Sequence, residues 1–166
     1  MELKNAIDKL KLSEEFTKFK EENSNYYLAH AFSIVDTEEI EWQVGYYGVE
    51  KDNVIVFEVG DIVTVHPQSE VFKKPGTTVK ELKLEDIKIS LKQAAEIADE
   101  LVKKKYSAET INKTIAIIQN LELPLYNLTL VTATFHIINI KINADTGEII
   151  SETRESIMGG LGTQMK

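Results

Sequence analysis

The sequence predicts an α+β protein built from two tandem α-β-β-β units, each with its helix laid on one face of an antiparallel sheet. Three observations lead there. Apolar residues recur at helical spacing in two separate places, and each place is followed by runs that alternate at period two. The second half repeats the element order of the first. The chain then closes on the alternating run Ile138-Asn139-Ile140-Lys141-Ile142-Asn143, a turn at Ala144–Glu148, and a further short run. With 166 residues, 43% hydrophobic and 28% charged, the chain can bury a core and is not disordered by composition.

The elements follow in order. Leu3, Ile7 and Leu10 form one helical stripe, so a helix is expected over 2–11. Ser13 offers an N-cap, and Phe16 and Phe19 begin a second stripe out of phase with the first, giving a helix over 14–23. Strands are expected at Tyr26–Val35, Ile40–Tyr47 and Val54–Val59, the last continuing through Asp61–His66 past Gly60. Val49–Asn53 is turn chemistry, and Pro67–Thr78 is loop-rich. Ser90 with Gln93 makes a capping-box pattern ahead of a helix that runs to about Lys105. Strands then fall at Thr110–Gln119, Leu125–Thr132, Ile137–Asn143 and Glu148–Thr153. The division is an N-terminal helix over 1–11, a first unit with its linker over 12–78, a second unit over 79–157, and a flexible tail over 158–166.

The halves match in detail. Leu10-Lys11-Leu12-Ser13 parallels Ile87-Lys88-Ile89-Ser90, both entering a helix. A slide of 84 residues places Trp42 on Tyr126, Val54 on Ile138, Val56 on Ile140 and Asp61 on Asp145 with no gap between. The same slide carries the turn at Val49–Asn53 onto Ala133–Ile137, so a bend is expected near His136 despite poor turn chemistry.

Composition excludes several function classes. The net charge is −8, the only basic run is Lys103-Lys104-Lys105, and Arg154 is the only arginine. Nucleic-acid binding needs a basic stripe, so no nucleic-acid partner is expected. No run reaches the ~18 apolar residues of a membrane helix, so no membrane span is expected. With no cysteine there are no disulfides, thiolate zinc sites or cysteine nucleophiles. His30, His66 and His136 offer no pair at metal-ligand spacing on one element, and no metal or cofactor is expected. MELKNAIDKL lacks the basic and apolar regions of a signal peptide, so the expected location is cytoplasmic, or exported if a signal has been removed.

Two stretches carry a family resemblance. Ile89-Ser90-Leu91-Lys92-Gln93-Ala94-Ala95-Glu96-Ile97-Ala98 resembles the opening helix of PepSY domains, and Ile142-Asn143-Ala144-Asp145-Thr146-Gly147-Glu148-Ile149-Ile150 resembles their closing hairpin. The resemblance covers about residues 87–153, with the first half as a diverged second copy. It implies a helix on a small antiparallel sheet, similar to cystatin-like folds. It also implies a non-enzymatic binding role, associated in that family with inhibiting or restraining peptidases.

The candidate sites fit a binding module rather than an enzyme. Ala144–Glu148 reads as a turn, with positive φ at Gly147 and Asp145 accepting backbone N–H groups. Tyr26 and Tyr27 are adjacent in one strand, as are Tyr46 and Tyr47, so one of each pair points away from the core unless something covers the second face. Tyr27 and Tyr47 are therefore expected to anchor a protein or peptide partner, and the acidic loop around Glu38 and Glu39 is expected to contribute as well. The alternative is a small apolar ligand held between helix and curved sheet, lined by Trp42 and Phe32.

Overall fold

A computed structural model of the chain describes residues 1–35, 39–67, 69–70 and 77–157. Glu38 and the tail 158–166 lie outside the described residues. Among the described residues there are three α-helices: α1 (Leu3–Lys11), α2 (Glu14–Glu22) and α3 (Leu91–Lys105). Nine strands accompany them: β1 (Tyr27–Ile34), β2 (Trp42–Gly48), β3 (Asn53–Val59), β4 (Val63–Val65), β5 (Ser69–Glu70), β6 (Ile111–Leu121), β7 (Leu123–Thr132), β8 (His136–Asn143) and β9 (Ile149–Ser156). The strands form one antiparallel sheet in the order β4-β3-β2-β1-β6-β7-β8-β9, with β5 pairing β3. The α+β class is as the alternation implied.

Local chemistry explains the helices. Ser13 accepts the Phe16 N–H at 3.2 Å and starts α2. At α3 the full capping box forms, with Gln93 N to Ser90 Oγ at 3.1 Å and Ser90 N to Gln93 Oε1 at 2.8 Å. Leu3, Ala6, Ile7 and Leu10 of α1, Phe16 and Phe19 of α2, and Leu91, Ala94, Ala98 and Val102 of α3 all enter one core. The sheet meets them with Leu28 and Ala31, Trp42, Val44 and Tyr46, Phe57, Ile118, Tyr126 and Leu128, and Ile138, Ile140 and Ile142. All three helices therefore cover the same face. Phe16, Phe19, Tyr46 and Phe57 pack as rings with centroids 5.1–6.0 Å apart, and burial pushes the Tyr46 phenol up to about 12.

The midline of the sheet is the pairing of β1 with β6, where Phe32 opposes Ile117 and Ala31 opposes Ile118. This pairing joins the first half of the chain to the second as one continuous sheet.

The 84-residue slide holds on one side of a turn and fails on the other. Trp42 and Tyr126 both face the helices. Val54, however, packs on the opposite face, while Ile138 lies in the main core. The β2–β3 loop, 49–52, is one residue longer than the β7–β8 loop, 133–135. Beyond it the correct pairing is Ile55 with Ile138 and Phe57 with Ile140, because a one-residue slip inverts every side chain. The bend expected near His136 is present, with Phe135 at φ 60. The β6–β7 turn is tighter than expected, with the single residue Glu122 at φ 77 between strands that begin earlier and end later than read from sequence.

Two glycines of β2 make room for rings from β1 and the residue just before it. A Cβ on Gly45 would stand 2.6 Å from His30 Nδ1, and one on Gly48 would stand 2.7 Å from Tyr26 Cε2. Tyr26 in turn gives its hydroxyl to Asn53 Oδ1 at 2.5 Å.

Candidate interaction surface

The face of the sheet away from the helices follows from the same alternation. It begins with a small second core: Ala29, Tyr47 and Val54 are buried, with Tyr27, Val56 and Val79 packed around them. The Tyr27 and Tyr47 rings meet edge to face at 5.7 Å. Val79 belongs to the segment that crosses from the first half to the second. Its carbonyl accepts the Tyr27 hydroxyl, and three residues later Leu82 donates its N–H to Leu28 O at 2.8 Å and enters the main core. The crossover thus roofs this end of the sheet.

This corrects the expected anchors. Tyr47 is only 2% exposed, with its hydroxyl given to Asp52, and Tyr27 is half-buried. The adjacency argument placed both on the second face correctly, but the crossover covers that face where they lie. Glu39 is exposed beside an open cleft of about 340 Å³ that also touches Phe32, Ile34, Trp42, Glu41 and Glu58. It is not beside the two tyrosines in one site.

Beyond the crossover the face carries a different apolar band that sequence reasoning missed. Register aligns Phe32 with Ile117 and Ile34 with Ile115 at the midline, and Val131 with Ile137 farther across. These six side chains are half-buried and lie in neither core. Polar groups flank them. On one side are Gln43 and Glu58, whose carboxylate meets His66 Nε2 at 2.9 Å. On the other, Asn139 donates to Asn127 Oδ1 at 2.6 Å, next to Lys141. The available signal was the run Ile115-Ala116-Ile117-Ile118 of β6, in which Ile115 and Ile117 alternate with Ala116 and Ile118 so that both faces are apolar there. His30 also lies on this face, and burial holds its imidazole below the ordinary histidine value.

A polar cluster closes the opposite end of the second half. Tyr106 donates to Glu152 at 2.6 Å, Lys105 pairs with Glu152, and the Arg154 guanidinium lies 5.2 Å from the Tyr106 ring. Thr134 donates to Glu109 at 2.6 Å and meets His136 Nδ1 at 2.8 Å. The Thr134 hydrogen bond, with His136 and Arg154 nearby, holds the Glu109 carboxyl below its usual range, so it is ionised. The Thr134 hydroxyl has a single proton, and the tautomer of His136 sets which of the two neighbours receives it. That arrangement clips β8 and β9 to the end of α3.

The closing turn is held differently from expectation. Gly147 has φ 78, but the accepting side chain is Asn143, whose Oδ1 takes the N–H of Asp145 at 2.8 Å and of Thr146 at 3.2 Å. Asp145 itself is exposed. Among the described residues no group of three or more His, Asp or Glu is arranged to hold a metal ion. No helix among them is long and apolar enough to cross a membrane.

No family model matches the chain, and no curated protein does. Among solved structures, a Clostridium difficile protein provisionally described as a lipoprotein superposes with a TM-score of 0.52 at 16% identity. The match covers 85% of this chain and 90% of that one. At that identity the likeness concerns the fold alone.

Proposed function

We propose that the chain is a non-enzymatic protein-binding module that works through the helix-free face of its sheet. One observation carries the reading: Phe32, Ile34, Ile115, Ile117, Val131 and Ile137 form an apolar band that neither core uses. Contiguous apolar surface outside a core is the usual mark of a contact site. The two tandem α-β-β-β units joined at β1 and β6 are part of this reading, as is the PepSY-like character of residues 87–153. The partner is a protein or peptide, and a peptidase held in check is the specific case that the resemblance suggests. The fold neighbour described as a lipoprotein suits an exported location, while a cytoplasmic one is the expectation from the sequence.

The second reading, a small-ligand protein, rests on the cleft of about 340 Å³ beside Phe32, Ile34 and Trp42. Glu39, Glu41 and Glu58 on its walls disfavour a purely apolar occupant. Trp42 is 1% exposed and gives its indole N–H to Met1 O at 2.8 Å, so it is a wall rather than a free platform.

The test is capture by the immobilised chain, comparing the native protein with Ile117→Lys. A long lysine stem is tolerated on an open sheet face, so the variant should melt as the native chain does. A protein that binds the native chain and not the variant supports the reading, and peptidase inhibition is then assayed on it. Equal capture by both would remove the apolar band as the binding site.

A further inference from the structure

We propose that the helix-free face pairs with the same face of a second copy of this chain. This rests on the preceding reading of that face as a protein-binding site, and it names the occupant. The argument lies in one row across the sheet. Register places Glu58, Gln43, Phe32, Ile117, Asn127 and Lys141 side by side on β3, β2, β1, β6, β7 and β8. The row is antisymmetric about the β1–β6 midline. At equal distances from it stand Phe32 and Ile117, then Gln43 and Asn127, then Glu58 and Lys141.

A twofold axis in the interface, parallel to the strands and along this midline, brings each member onto its counterpart. Glu58 faces the second copy's Lys141, amide faces amide, and Phe32 faces Ile117. Symmetry forms every contact twice. In the next row Ile34 and Ile115 oppose each other in the same way. The other in-plane axis, across the strands, would stack Glu58 on Glu58 and Lys141 on Lys141, and like charges so placed are rejected. The charge pattern therefore selects both the partner and its orientation.

The dimensions suit a reversible pair. Where the crossover leaves the face open, two rows span all six strands (Glu58 to Lys141 and Val56 to Asn143) and the Ile34–Ile115 row lies beside them. At ~4.8 Å between strands and ~6.8 Å between rows this is about 500 Å² per copy, the size of a weak, reversible interface. Packed sheets cross at about 30°, which displaces the outer strands by ~6 Å and leaves Lys141 within reach of Glu58 on its long stem.

The experiment is sedimentation equilibrium of the full chain with three variants: Glu58→Lys, Lys141→Glu, and both together. The native chain is expected to dimerise. Each single swap sets like charges face to face and should weaken the dimer about tenfold or more, whereas the double swap should restore it. Both Glu58→Lys and the double swap lose the His66 contact, so restoration cannot come from that bond. A second measurement uses the absence of native cysteine. Gln43→Cys mixed with Asn127→Cys should cross-link through a short bis-maleimide far better than either variant alone. A native chain that stays monomeric at ~0.5 mM overturns the proposal. So does a dimer indifferent to the swaps, or equal cross-linking of the variants alone. If the chain is monomeric yet loses a captured partner with Ile117→Lys, the face still binds protein, but another one.

Discussion

Replacing Tyr47 by alanine separates a buried ring from a surface anchor. The side chain is 2% exposed and packs on Ala29, Val54 and the Tyr27 ring, beneath Val79. Removing a buried aromatic ring from a core costs about 3–5 kcal/mol. Here the roof is a single crossing segment that can settle into the space, so the lower end, about 3 kcal/mol, applies. Losing the hydroxyl's bond to Asp52 adds about 1 kcal/mol. The sum, about 4 kcal/mol, is a large part of the 5–15 kcal/mol by which domains are ordinarily stable. It corresponds to a fall of roughly 10 °C in Tm for a chain of this size. Urea denaturation followed by circular dichroism measures it, with Tyr47→Phe as the control that loses only the hydroxyl, about 1 kcal/mol. A loss below about 1 kcal/mol for Tyr47→Ala would show that the ring is not core and that the crossover does not seal this end of the sheet.

Three further outcomes are expected. Gly45→Ala drives a methyl into the His30 ring and should cost about 1–3 kcal/mol, most of it recovered in the His30→Ala background; a double-mutant cycle in urea would show no coupling if the ring sits elsewhere. Ser90→Ala removes half of the capping box and should cost about 1 kcal/mol, read as earlier hydrogen exchange in the first turn of α3. His30 has a folded pKa below its unfolded 6.5, so the unfolded chain binds its proton first. The stability tied to His30 is whole above 6.5 and is lost as pH falls from there towards the folded pKa. Melting temperatures at about pH 8 and about pH 5.5 should therefore differ less in His30→Leu than in the native chain, and an equal difference would refute the burial.

The helices were legible because their signals are local. Ser13 and Ser90 bond to N–H groups three residues away, and the stripes of Leu3, Ile7 and Leu10 or of Phe16 and Phe19 need no distant partner to be recognised. The bend at 133–135 was legible only through likeness to the first half, since Ala133, Thr134 and Phe135 carry no turn signal of their own. The same likeness misplaced Val54 opposite Ile138, because one residue missing from a loop inverts faces without disturbing the hydrophobic pattern.

Alternation along each strand determined from sequence alone which residues share a face: Tyr46 apart from Tyr47, and Ile117 apart from Ile118. It did not determine which parts of the second face would be covered. That was decided by contacts between distant residues, such as Tyr27 with Val79 and Leu28 with Leu82, and by the pairing of β1 with β6. The crossover buries Tyr47 and leaves Phe32 and Ile117 uncovered, although the sequence around all three is equally apolar. The period of a strand is a property of its own backbone, whereas cover is supplied by segments far away in the chain, and only the tertiary structure brings them there.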